Sequence, residues 1–317
     1  MPAVSKKTII IDDMLRKVPL AAYRPLRQAV HHVPRGHPVR LAATVVLQHA
    51  ARAFRNHLPG RLTEIRPLDN QALSFAASDS MVMDAVYWFG IRGYEGTVPR
   101  TWAALCGHSL NILEVGGNVG LFTVVGAQAA RGSYTVVEPV PGNATVLRGN
   151  LARNAMLSVE VLEAAAIPGD QPCDVTLNVP DEGRDTPVGA HLLDGVEVSG
   201  RSTQFQITVP GLPMRTLAEG RDLIKIDAEG IEAALLSDIR TQLVARRPTL
   251  LIEVLPEAVQ LGQMLSTLAA EAGYAIHVLP EYGSDRTVEV PPASFTSAVP
   301  KAHNSKDVVL SVGPLPG

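Results

Sequence analysis

Cysteine is nearly absent: Cys106 and Cys173 are the two in 317 residues, and neither stands at a metal-ligand spacing. A disulfide framework is thereby excluded, and a reduced, cytoplasmic setting with free thiols is the expectation. Long apolar runs are missing too. The most apolar N-terminal stretch, 41–54, is interrupted by Gln48, His49 and Arg52, which excludes a spanning helix and leaves peripheral membrane contact open. Nine histidines are present, but five (His31, His32, His37, His49 and His57) crowd into the first 60 residues, and none shows a catalytic or metal-binding spacing. No metal is therefore expected. Aromatics make up 4% of the chain and do not interleave with its basic residues as a nucleic-acid platform requires, so no nucleic-acid partner is expected.

What is present is apolar mass. Hydrophobic residues make up 46% and charged residues 19%, enough to bury a substantial core and too little charge for wholesale disorder. The net charge of -3 hides an asymmetry. Residues 1–60 carry ten Lys/Arg against Asp12 and Asp13, about +8, while the other 18 Lys/Arg and 29 Asp/Glu leave the rest about -11. A basic arm of that kind docks on an acidic body or meets an anionic partner. The expected organisation is a helical, proline-broken arm or cap over 1–60, with helical patches at 9–15 and 41–47, followed by an α/β domain over 61–317. A small hairpin is expected within 62–75 and a helix from 80 to about 91.

From residue 110 a rhythm of apolar strand, turn and amphipathic helix sets in. It predicts strands at 110–115, 133–137, 159–164, 223–226 and 250–254, with helices at 120–130, 143–154, 230–246 and 257–272. Such alternation implies a doubly wound, mainly parallel sheet whose binding crevice lies at the carboxyl ends of its strands. Two further strands, near 275–279 and 306–312, would finish the sheet as an edge pair. Residues 168–215, rich in proline and glycine, interrupt the rhythm as an inserted β/loop region with a mobile tip.

The chemistry concentrates at three strand ends. Asn111-Ile-Leu-Glu-Val-Gly-Gly-Asn-Val-Gly-Leu-Phe-Thr123 is a strand running through a glycine-rich turn into a helix. Gly116 and Gly117 clear Cβ atoms from the turn, Gly120 lets the helix start close to the strand, and free amides there can hold a carboxylate. A dinucleotide fingerprint is not met: counting from Gly116 puts Asn118 and Leu121 where glycines are needed, and counting from Gly117 puts Val119 and Phe122 there. The second strand ends in Glu138-Pro139, an acid suited to accept from two ribose hydroxyls. The third segment, Asp222-Leu-Ile-Lys-Ile-Asp-Ala-Glu-Gly-Ile-Glu232, delivers Asp227 to the crevice.

Glu114-Val-Gly-Gly-Asn-Val-Gly120, Glu138-Pro139 and Lys225-Ile-Asp-Ala-Glu-Gly-Ile-Glu232 stand in the order found in FkbM methyltransferases, which the chain resembles over about residues 80–255. Gly93-Tyr-Glu95 and Leu251-Ile-Glu253 extend the likeness. Gly117 stands where the family usually has alanine and Glu114 where aspartate is more usual; Thr216-Leu-Ala218 lacks an aspartate often found there. The resemblance implies a class I, Rossmann-like seven-stranded fold and methyl transfer from S-adenosyl-L-methionine, usually to a hydroxyl of a sugar or secondary metabolite. It places the cofactor on Glu114, Gly116, Gly117, Asn118, Gly120, Glu138, Pro139 and Ala165. Asp227 is then the base or the group orienting the acceptor, with Glu229 next. Tyr94, Glu95, His191 and Glu253 are the acceptor-side candidates. The implied partner is a small-molecule or glycosylated acceptor, a homodimer being open; N-methylation and a non-catalytic cofactor-binding assembly module are the alternatives.

Overall fold

The computed structural model describes residues 14–15, 17–32, 38–54, 63–65, 72–76, 80–180, 186–187, 189–192, 203–281 and 286–316. The chain divides into two compact units, Met1–Tyr94 and Glu95–Gly317. Most of the helical patch expected at 9–15 and the tip of the insertion lie outside the described residues.

In the first unit, α1 (Arg24–His32) and α2 (Pro38–Ala53) precede a hairpin of β1 (Thr63–Ile65) and β2 (Leu73–Phe75), then α3 (Met81–Phe89). Proline at the first position of α2 suits a helix start, where an amide hydrogen has no partner to lose. Ala43, Leu47, Ala50 and Phe54 recur at helical spacing and are buried with Tyr23 and Trp88, whose rings meet edge to face at 5.6 Å. The expected hairpin is there, antiparallel, with Thr63 opposite Phe75.

The second unit opens with α4 (Val98–Gly107), β3 (Asn111–Val115), α5 (Leu121–Ala129), β4 (Ser133–Val137), α6 (Pro141–Arg153) and β5 (Glu160–Leu162). Next come β6 (Ala165–Ile167), β7 (Cys173–Pro180), β8 (His191–Leu192), β9 (Thr203–Pro213) and the single turn α7 (Met214–Leu217). The alternation resumes with β10 (Leu223–Ile226), α8 (Glu232–Asp238), α9 (Arg240–Arg246), β11 (Thr249–Glu253) and α10 (Val259–Ala272). It closes on β12 (Ala275–Val278), β13 (Val288–Val290), α11 (Val299–Ala302) and β14 (Asp307–Ser311).

The main sheet runs β13-β12-β14-β11-β10-β3-β4-β5. Strands β5, β4, β3, β10 and β11 are mutually parallel, β14 enters antiparallel between β11 and β12, and the three-residue β13 adds an eighth strand at the edge. This is the doubly wound α/β architecture. The expected helix over 230–246 is two helices that meet at Ile239, whose backbone leaves the helical region and whose side chain is buried. Alternate strand residues Leu113, Val115, Ile224, Ile226, Leu250 and Ile252 share one core with Leu235, Leu243, Leu261 and Leu265 from the helices. Each such side chain contributes about 1.5–3 kcal/mol by leaving water. Elsewhere, close packing of α4 on α5 requires Gly126, where a Cβ would stand 2.5 Å from Trp102 Nε1.

Chain order sets the site. From β3 the chain moves outward to β4 and β5, then returns to β3's other side as β10, so the winding reverses between β3 and β10. In sheets of this kind the reversal marks the place where ligands bind, at the carboxyl ends of the strands. The region after β5 forms a second, four-stranded sheet, β6-β9-β7-β8, around Ala165, Ile167, Leu177 and Val209. Among the described residues no helix is long and apolar enough to cross a membrane.

Candidate active site

Gly116 and Asp227 follow directly on β3 and β10, which run side by side with Val115 opposite Ile226. Asp227 N donates to Val115 O at 3.1 Å, and the carbonyl of Asp227 lies against Gly116 so closely that a Cβ there would stand 2.0 Å away. At φ 87° Gly116 also occupies a backbone region that L side chains resist. The turn is fixed from beneath. Gly116 N and Gly117 N both donate to Val137 O, and Asn150 Nδ2 donates to Val119 O at 2.8 Å. At Gly117 a Cβ would meet Val136 Cγ2 at 2.5 Å and Leu147 Cδ1 at 2.7 Å, so in this chain the space beside the turn is already filled. Gly120, at φ 87°, begins α5 with no side-chain cap, leaving the first amides of that helix to an outside acceptor.

Glu138, at the exit of β4, is 4% exposed. Its Oε2 accepts from Asn118 N at 2.7 Å and its Oε1 from Val140 N at 2.9 Å. A carboxylate has about four lone-pair directions, so these bonds hold Glu138 in place and leave room for further donors. Pro139 follows it into the loop before α6, and Ala165 opens β6 in a buried position.

Glu114 is fully buried and takes the Tyr134 hydroxyl on Oε2 at 2.5 Å; that hydroxyl in turn accepts from Trp102 Nε1 at 3.1 Å. Beside it Lys225 is 2% exposed. Its ammonium lies 3.0 Å from Asp227 Oδ2 and 4.7 Å from the centre of the Phe122 ring. Burial by itself would lower the Lys225 pKa, but the charges of Asp227, Glu114 and Glu95 outweigh it and raise it. Lys225 is therefore cationic and holds Asp227 in one orientation, while the Asp227 side chain keeps 23% exposure to the crevice.

The loop after Asp227 is bent tightly. Glu229 at φ 54° and Gly230 at φ 111° are both left-handed, and the buried Glu232 carboxylate gathers Ala228 N at 2.9 Å and Gly230 N at 3.1 Å. For Glu229 such a conformation costs about 1–2 kcal/mol. Glu253, ending β11, and Glu95 both bind Lys306, whose Nζ is 2.8 Å from Glu95 Oε1 and shorter still from Glu253. Tyr94 is half-buried at the end of the first unit. His191 lies on β8 within the four-stranded sheet, its Nδ1 3.2 Å from Gly189 O. The structure thus gathers Glu114, Gly116, Gly117, Asn118, Gly120, Glu138, Asp227 and Glu229 around adjacent strand exits, and links Glu95 to Glu253 through a lysine. Sequence reasoning missed Tyr134, Asn143, Asn150 and Lys306. Asn143 and Asn150 lie seven residues apart, two turns of α6, and like Tyr134 and Lys306 they stand in no motif. Among the described residues no group of three or more His, Cys, Asp and Glu is arranged to hold a metal ion.

Burial makes the site sensitive to pH. Glu114 and Glu138 are each raised from 4.5 to about 7, and Glu253 to about 8, with burial the largest cause in all three and the charge of Asp227 adding to it. Folded, these carboxyls hold protons that the unfolded chain has released above 4.5. Their contribution to stability is complete below pH 4.5 and is lost as pH rises through 7 to 8, by up to about 1.4 kcal/mol per pH unit for each group. Chemical denaturation of the ligand-free protein is expected to show a lower midpoint at about pH 8 than at about pH 5.5; equal midpoints would contradict it.

The sequence profile of the Methyltransferase FkbM domain matches residues 114–276. No curated protein matches the chain. Among solved structures, methyltransferase FkbM from Methylobacillus flagellatus KT is 14% identical, over 94% of this chain and 60% of its own length, with a TM-score of 0.38. An O-methyltransferase from Bacillus cereus, in complex with SAH, is 13% identical over 92% and 97%, with a TM-score of 0.37. The tRNA (uracil-54, C5)-methyltransferase of Pyrococcus abyssi is 11% identical over 78% and 43%, with a TM-score of 0.40.

Proposed function

This chain belongs to the FkbM methyltransferase family, and from that premise we propose that it transfers a methyl group from S-adenosylmethionine to a hydroxyl of a sugar or secondary metabolite. The observation that carries the reading is Asp227, held by Lys225 at 3.0 Å and pressed against Gly116 where the winding of the sheet reverses. When bound, the cofactor's sulfonium supplies an activated methyl group. The residues present fit such a group: the uncapped start of α5 suits its carboxylate, the glycines let the turn pack directly on Asp227 and Leu147 so that it stands in one conformation, and Glu138 is placed for the ribose hydroxyls. Gly117, Asn118, Pro139 and Ala165 complete the proposed seat, while Glu114 lies beneath it, linked to Tyr134.

The chain's own chemical task is to orient the acceptor and take its proton. Asp227 is the base or orienting group, its carboxylate held in place by a lysine that stays charged. Glu229 stands next in line, and Glu253, Glu95, His191 and Tyr94 are the remaining acceptor-side proposals. N-methylation is the second reading, favoured by Asp227 and Glu229, whose charges both reach Glu253: carboxylates gathered in that way orient an amine and take the proton it must lose before it attacks. A cofactor-binding module without catalysis, engaging a partner through the basic arm of residues 1–60, is the third.

Calorimetry with S-adenosylhomocysteine tests the cofactor assignment. A product assay across hydroxyl and amine acceptors then separates the readings. Asp227→Ala is expected to bind the cofactor product within a few-fold of the parent while losing methyl transfer by about 100-fold or more. A parent without affinity for the donor or its product would sink the assignment.

A further inference from the structure

Asn143 lies in the first turns of α6, 2% exposed, and no sequence motif singles it out. Its Nδ2 donates to Pro187 O at 3.0 Å and stands 3.4 Å from Glu138 Oε1. Both neighbours are acceptors, so the amide cannot be turned round without setting oxygen against oxygen. That fixes Oδ1 as the other end, and Oδ1 is buried with no hydrogen-bond partner. A buried acceptor left empty is unfavourable, and it is filled when a donor arrives. The donor comes to a side chain already touching the carboxylate proposed to hold the ribose. Pro187 and its neighbour Thr186 are buried and belong to the region between β7 and β8, so Asn143 joins that region to Glu138.

We propose that Asn143 completes the ribose seat: Oδ1 accepts a hydrogen bond from a ribose hydroxyl while Nδ2 holds Glu138 and Pro187 in register. The proposal rests on the cofactor assignment above and extends it to a residue and a chain segment outside the strand-end motifs. Occupancy of the ribose seat then steadies Thr186 and Pro187, since seat and segment depend on one amide.

Calorimetry with S-adenosylhomocysteine and its 2′-deoxy and 3′-deoxy ribose analogues, on the parent and on Asn143→Ala and Asn143→Ser, tests it. The parent is expected to bind S-adenosylhomocysteine and to lose affinity when the relevant hydroxyl is removed. Asn143→Ala should weaken S-adenosylhomocysteine about 10-fold and erase most of the difference between it and one deoxy analogue, with unchanged circular dichroism. Hydrogen exchange at Thr186 in the parent should slow on adding S-adenosylhomocysteine, and slow less in the variants. Two results would overturn it: unchanged affinity in both variants, or an equal loss for all three ligands, which is the mark of a merely structural residue. If the variants do not fold, equal exchange at Thr186 in the free and bound parent overturns it. A parent that fails to bind S-adenosylhomocysteine removes the cofactor assignment itself, a result distinct from either.

Discussion

Lys225→Met is expected to destabilise the second unit by about 3–5 kcal/mol at pH 8, a large fraction of the stability of a typical domain. The lysine is 2% exposed, and its charge serves Asp227 directly and Glu114 through space. Methionine fills the volume and keeps contact with Phe122, so the loss isolates charge from packing. Without the ammonium, Asp227 loses its ion pair, and the fully buried Glu114 loses the charge that lowers its pKa and holds its proton to higher pH. The deficit should therefore shrink towards pH 5, where Glu114 is already protonated. Asp227→Asn added to Lys225→Met should recover part of it, giving a coupling energy of about 1–3 kcal/mol in a double-mutant cycle. Urea denaturation of the four proteins reads both quantities; a deficit below about 1 kcal/mol at pH 8 would mean that the pair is not a buried ion pair in solution.

Gly116→Val is expected to remove cofactor binding altogether. The backbone at φ 87° resists any β-branched residue, and the added atoms are aimed at the Asp227 carbonyl, 2.0 Å from the ideal Cβ position. Backbone is the obstacle, so rotamer change gives no relief. Either β10's exit moves away from β3 or the turn unwinds, and each displaces Asp227 relative to the start of α5. A tenfold loss corresponds to about 1.4 kcal/mol, and separation of the two loops removes several contacts at once, so affinity for S-adenosylhomocysteine should fall by more than about 100-fold. Gly149→Ala is the control. It lies in α6 with open space around its Cβ position, and the change should leave binding intact while adding up to about 1 kcal/mol of stability. Calorimetry on both variants decides; a Gly116→Val protein that binds like the parent would refute this placement of the turn.

Both expectations depend on features with different visibility in the chain. The strand and turn at 111–120 were readable because their signals are local: an apolar run, then glycines where the backbone must turn left-handed. Glu138, Asp227 and Glu253 were readable for the same reason, each ending an apolar run that had to be a buried parallel strand. The break at Ile239 was not readable, because residues 230–246 keep one helical period across it. The inserted β/loop region was readable as such, but not its pairing into a four-stranded sheet, where Thr203–Pro213 pairs along most of Cys173–Pro180. Pairing across that distance depends on the partner strand, which a local pattern does not contain.

The sequence alone determined the order of strands and helices, the glycine turn and which carboxylates stand at strand exits, since these follow from periodicity and backbone conformation within a few residues. Tertiary structure alone decided what those carboxylates meet. Lys306 reaches Glu253 across 53 residues, Tyr134 reaches Glu114 across 20 and Asn143 reaches Pro187 across 44. Which acid is paired, which is orphaned and which holds a proton near neutral pH depends on register and burial. Both arise only when the sheet is assembled and water is excluded from the crevice.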